Sequence, residues 1–234
     1  LQGVLMDFNL TQEQADIQKA AKEFAAGEFD PDRILEWDRS QQFPVSIWKK
    51  ACELGFQGVH FPELCGGQGL DLIDHALIIE AFCRQDSGIG LAMALSDFGA
   101  ELVMAHGSAE QKKRVLPLLT QGRGWLTLAF LEEGYDLSSF RTVSRKNGKG
   151  HTIQGKKSHV TLADMAPPMI VVCRVESPDP TGQSVFLVSA DSPGIERTSM
   201  GDKLGMRMIP VQSVSFRGVL VGGEALVGQE GKGL

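Results

Sequence analysis

The sequence changes its hydrophobic period once. Up to Gly122-Arg123-Gly124, apolar residues recur three and four positions apart, the spacing of a helix face; beyond it they fall in short runs of β-branched and aromatic residues. A chain patterned this way separates its helices from its strands, because neither period can bury its apolar side in the other geometry. The reading is an α+β protein: an N-terminal all-α helical bundle over residues 1–124, then an antiparallel β-barrel-like domain over 125–234.

The helical half is well punctuated. Thr11 and Gln14 have capping-box spacing, and Ile17, Ala20, Ala21 and Phe24 follow on one helix face. Asp30-Pro31 restarts the chain through Trp37, and Phe43-Pro44 opens a segment carrying Ile47, Trp48, Ala51 and Leu54 that stops at Gly55. Ile73 to Arg84 and Gly90 to His106 read as helices, the second nearly apolar all round and so central to the bundle. Gly107 ends it, Ser108 and Gln111 repeat the capping box, and Val115, Leu116, Leu118 and Leu119 form a face despite Pro117. That predicts five or six helices. Strands are expected at Trp125 to Leu131, Arg141 to Arg145, His151 to Gln154, Met169 to Val175, Ser184 to Ala190 and Val211 to Val221, with turns at Asn147-Gly148, Pro178 to Gly182, Ser192-Pro193-Gly194 and Gly222-Gly223. Phe186 and Phe216 are assigned to the β core.

Composition narrows the function. At 234 residues with 42% hydrophobic and 22% charged, the chain has enough apolar surface for real cores, which excludes whole-chain disorder. A net charge of -6 supplies no cationic surplus to neutralise phosphates and argues against nucleic acid as a main partner. The longest near-apolar stretch, Gly88 to Ala105, is broken by Ser96, Asp97 and Glu101, which argues against a membrane span. Leu1 to Leu5 lacks the flanks of a secretion signal, and Met6 reads as a natural start. Cys52, Cys65, Cys83 and Cys173 show no paired spacing, which fits a reducing compartment, cytoplasmic or an organelle matrix.

Several motifs are weighed and set aside. Gly150 to Lys157 nearly spells a phosphate loop, but Lys157 stands where Ser or Thr must hold magnesium, and the stretch lies in strands. No complete dinucleotide fingerprint follows a strand, no nucleophile elbow is present, and His151 and His159 have no acid or thiol at ligand spacing, so no metal is expected. Glu132-Glu133 could do acid-base work, but neighbours on a strand face opposite ways, and one of them is expected to face water.

The remaining landmarks form an ordered set. They are Asp7 to Gln14; Phe61-Pro62-Glu63 with Gly66-Gly67-Gln68-Gly69; His106 to Lys112 running to Leu116-Pro117-Leu118-Leu119; Gly155-Lys156-Lys157-Ser158; Ala190 to Gly194; Lys203-Leu204-Gly205-Met206-Arg207; and Gly228 to Gly233. From Met6 to Leu234 the chain resembles the flavin-dependent acyl-CoA dehydrogenase superfamily. The resemblance implies FAD as cofactor, and α-proton removal with hydride transfer from the β-carbon of an acyl thioester carried by coenzyme A or a carrier protein. It further implies an electron-transfer partner and homo- or hetero-oligomers. The family's third, C-terminal helical domain and its glutamate base have no counterpart in this sequence, so the resemblance assigns no catalytic residue here.

The flavin motifs depart from the family pattern. Ala129-Phe130-Leu131-Glu132-Glu133-Gly134-Tyr135-Asp136 carries Leu131 where the family has Thr, and lacks its Gly-Ser pair. In His159-Val160-Thr161, His159 stands in place of Trp, and Thr161 is retained. By resemblance the cofactor contacts are the main chain of Ala129, Phe130 and Leu131, with His159 and Thr161 beside the ring. Three readings follow: a working flavoenzyme portion with an altered pocket, a degenerate member supporting an active partner subunit, and a flavin-free acyl-thioester binding module.

Overall fold

The computed structural model describes residues 9–134, 140–165, 168–176 and 182–233. The expectations placed on Leu1 to Phe8, on Tyr135 and Asp136, on Pro178 to Thr181 and on Leu234 lie outside the described residues.

Helices fill the first half: α1 (Gln12–Glu28), α2 (Pro31–Ser40), α3 (Val45–Glu53), α4 (Leu72–Gln85), α5 (Ser87–Ala94), α6 (Ala100–His106) and α7 (Ala109–Thr120). Both predicted capping boxes form: Thr11 Oγ1 accepts from the Gln14 N–H while Gln14 Oε1 accepts from the Thr11 N–H, and Ser108 and Gln111 do the same. Asp30 caps the Pro-initiated α2. Gly90 to His106, read as one helix, is two. The break at Leu95 to Gly99 lets Ser96 accept from the Leu126 N–H at 2.9 Å and Asp97 bridge to Leu126. Gly99 takes a φ of 94° there, and a Cβ on it would lie 3.0 Å from Ile170 Cδ1. Close approach of the strands, invisible to helical periodicity, decides the split.

The second half holds β1 (Thr127–Ala129), β2 (Val143–Asn147), β3 (Gly150–Thr161), β4 (Pro168–Val175), β5 (Gln183–Ser189), β6 (Ile195–Ser199), β7 (Val211–Gly222) and β8 (Leu226–Val227). The sheet order is β6-β7-β3-β2-β4-β5-β8, with β1 also on β4. The sheet is mostly antiparallel, as expected, with two parallel ladders: β1 beside Met169 to Val171, and β2 beside Arg174 and Val175. β1 and β2 thus share one edge of β4. Among the described residues the end strands β6 and β8 do not pair, so the sheet is not closed. β6 and β8 were not predicted, since Ile195 to Ser199 is almost wholly exposed and Leu226–Val227 is too short for a pattern.

Three apolar cores result. The first is helical but takes in Leu162, Met208 and Ile209 from the β half, with Trp125 packed against it. The second joins α6 and α7 to Leu126, Ile170, Val172, Leu187 and Val227. The third lies within the sheet and contains Phe186 and Phe216, both fully buried. No helix among the described residues is long and apolar enough to cross a membrane.

Candidate cofactor site

Two segments about thirty residues apart in sequence come to lie side by side. The Thr127 hydroxyl donates to the Thr161 carbonyl, and the Ser158 N–H donates to the Leu131 carbonyl at 2.8 Å, so Thr127 to Leu131 runs antiparallel along the C-terminal part of β3. All five residues singled out above lie on these two stretches. Ala129 is fully buried with its side chain in the sheet core. Phe130 is half-buried and meets Phe98 edge-on, ring centres 6.1 Å apart, while its carbonyl accepts from Lys157 Nζ. Leu131 is half-buried. His159 is exposed at a φ of 53°, where the β3–β7 register slips and Ser158 and His159 together face Ser213. A bulge of this kind re-aims a side chain out of the strand's alternation.

Two hydroxyls on this strand, Ser158 Oγ and Thr161 Oγ1, are covered and left without a hydrogen-bond partner among the described residues. Such a group costs about 1–3 kcal/mol while it stays unpaired. The acceptor-rich edge of a flavin ring is the kind of group that would take these donors, so the hydroxyls present fit FAD. A cleft of about 190 Å³ lined by Glu132, Glu133, Arg141, Lys156 and Ser158 opens next to them. That is below the 300 Å³ at which ligand pockets begin, room for part of a dinucleotide.

The acid pair separates as expected, one buried and one facing water, although neither residue lies in a strand: Glu132 follows β1 and Glu133 is in a turn. Glu133 is exposed and pairs with Lys156 at 3.2 Å. Glu132 is buried, accepting from the Arg141 N–H at 2.7 Å, the Thr142 N–H at 3.0 Å and Lys157 Nζ at 2.8 Å. Burial pushes its carboxyl upward, but the hydrogen bond from Lys157 and those from Arg141 and Thr142 outweigh it and hold the group below the ordinary carboxylate range. Lys157, the residue that breaks the phosphate-loop pattern in the sequence, is wholly buried; its Nζ also bonds the Phe130 carbonyl at 3.0 Å and lies 3.8 Å from the centre of the Phe140 ring. Sequence reasoning missed this ion pair. The signal was available, since adjacent lysines in a strand face opposite sides and one of Lys156 and Lys157 must point inward.

The family model described as acyl-CoA dehydrogenase, N-terminal domain, matches residues 11–123, and that described as acyl-CoA dehydrogenase, middle domain, matches residues 131–219. The chain belongs to the acyl-CoA dehydrogenase family. It is 30% identical to the mitochondrial isobutyryl-CoA dehydrogenase of Bos taurus over 96% of its own length and 54% of that enzyme's. It is 32% identical to a probable acyl-CoA dehydrogenase of Bacillus subtilis over 97% of its length and 61% of the relative's. The chain therefore spans 54 to 61% of these relatives. Among solved structures, an acyl-CoA dehydrogenase complexed with FAD from Bacillus anthracis superposes with a TM-score of 0.86 at 30% identity, covering 98% of this chain and 40% of that one. A prolyl acyl carrier protein oxidase does so with a TM-score of 0.89 at 27% identity, covering 97% of this chain and 61% of that one.

Proposed function

We propose that this chain is the flavin-binding portion of an FAD-dependent acyl-CoA dehydrogenase, which oxidises an acyl thioester to the α,β-enoyl thioester and passes the electrons to a protein acceptor. The observation that carries the reading is the alignment of Leu131 against Ser158, with the unpaired Ser158 and Thr161 hydroxyls on the same strand. FAD, when bound, supplies the hydride acceptor; the protein supplies position and electrostatics. Thr161 and Ser158 would donate to it, Leu131 would keep water from one side, and His159 would lie against the ring. Glu132 does not serve as the base, because its oxygens are engaged by two backbone N–H groups and a lysine. The thioester is that of coenzyme A or of a carrier protein, both of which occur among the names of similar proteins.

The purified chain, mixed with FAD and desalted, is expected to keep a flavin absorption band shifted from that of free FAD. A colourless protein fraction would speak against flavin binding by this chain and favour a supporting role beside an active subunit. Leu131, an apolar residue where the family places a hydroxyl, is the observation behind that second reading. Leu131→Thr is expected to tighten FAD binding about fivefold, one hydrogen bond or about 1 kcal/mol; unchanged affinity in a titration of flavin fluorescence would count against the proposed alignment.

A further inference from the structure

The buried ion pair sits at one of the two hydrogen-bonded points where the two segments of the candidate site meet. Glu132 follows Leu131 and Lys157 precedes Ser158, so the pair flanks the hydrogen bond that joins those segments. Through Arg141 and Thr142, nine and ten residues further along, Glu132 also anchors the chain's return towards β2. Three stretches of chain are tied by one carboxylate and one ammonium: the run following β1, the approach to β2 and the middle of β3. Both charged groups lie away from water, with side-chain exposures of 7% and 0%. A buried pair is a poor device for stability, since well-packed apolar residues of similar volume often replace one without loss. What apolar residues cannot reproduce is direction: one carboxylate oxygen holds the Arg141 N–H, the other the Thr142 N–H, and the ammonium holds the Phe130 carbonyl.

We propose that Glu132 and Lys157 form a positioning pair, which sets the register of Leu131 against Ser158 and thereby the shape of the flavin-facing rim. The role rests on the flavin reading for its consequence, but not for its geometry. The pair includes Glu132 at the edge of the cleft, but with both carboxylate oxygens already bonded within the protein. It acts through the main chain of Phe130, Leu131, Arg141 and Thr142.

The test replaces the pair by apolar residues, Glu132→Leu with Lys157→Met, in the 234-residue chain. Three quantities are measured: thermal unfolding, amide hydrogen exchange, and FAD affinity by fluorescence titration. The expected result is a midpoint within a few degrees of the parent, exchange at the Arg141, Thr142 and Ser158 amides faster by a hundredfold or more, and FAD affinity weaker by tenfold or more with the shifted flavin band lost. Unchanged protection at those amides overturns the proposal, as does loosened exchange with unaltered FAD affinity. If the double variant does not fold, Glu132→Gln serves instead: it keeps the shape and loses the charge, and affinity equal to the parent's overturns the pairing. A parent chain that binds no FAD defeats the flavin reading alone; amide exchange in the double variant then supports or overturns the positioning role by itself.

Discussion

Two buried carboxyls in this protein are shifted in opposite directions from the ordinary carboxylate range, and the presence or lack of hydrogen-bonding partners explains the difference. Glu132, held by a lysine and two N–H groups, is lowered; Asp97, wholly buried beside Glu101 and with Oδ2 unpartnered, is raised well above the ordinary range, chiefly by burial. The signs differ accordingly. The contribution of Glu132 is present above the unfolded carboxylate range and is lost as pH falls through its depressed folded value. Asp97 favours folding below the unfolded range and opposes it once rising pH forces a charge into the interior. Asp97→Asn is therefore expected to raise the unfolding midpoint at pH 7 to 8 and to change it little near pH 4; a lower midpoint at both would show that the carboxyl has a partner. His75 gives a third case. Burial, and then the neighbouring His60 whose ring centre is 4.6 Å away, lower it to about 4. The folded state binds fewer protons than the unfolded one between about pH 4 and 6.5, so stability should fall by on the order of 2 kcal/mol as pH drops through that window. Urea titrations of His75→Phe across the window should show a flatter slope than the parent, and an identical slope would assign the proton uptake elsewhere.

At the scale of elements, strand β3 sets the shape of the β half because it pairs with β2 along one stretch and flanks the Thr127 to Leu131 run along another. Its interior Gly155 has a φ of 148°, and a Cβ there would stand 2.5 Å from the Thr142 Cα, a backbone atom that cannot swing aside. Gly155→Ala should cost roughly 2–3 kcal/mol, through strain at this φ and displacement of the approach to β2. Urea unfolding reads the loss, and a cost under about 0.5 kcal/mol would mean that the two strands can separate without consequence. Helix starts were legible in sequence because a cap is local: Thr11 with Gln14, Asp30 with Arg33 just past Pro31, and Ser108 with Gln111 each bond within one turn. The break between α5 and α6 was not, because its cause is Leu126, far along the chain.

The whole molecule does not divide into cores where it divides into patterns. Trp125, just past the Gly122 to Gly124 junction, stacks on Trp48 with ring centres 4.5 Å apart and meets Phe43 edge-on, and Leu162, Met208 and Ile209 complete the helical core. We expect one unfolding transition for both halves, with helix and strand signals coincident in circular dichroism, and a loss of about 3 kcal/mol for Trp125→Ala. Two separated transitions would show that the shared core does not couple them. The sequence by itself determined the order of helices before strands, the helix caps, the buried aromatics and the family, since each rests on neighbours in the chain or on motifs in fixed order. It also marked Leu131, His159 and Thr161, but as separate points. Only the tertiary structure decided that Leu131 lies against Ser158, that Lys157 points inward to Glu132 and that both halves share a core. Strand register and burial depend on partners far away in sequence, and hydrophobic period states which side of a segment is covered without stating by what.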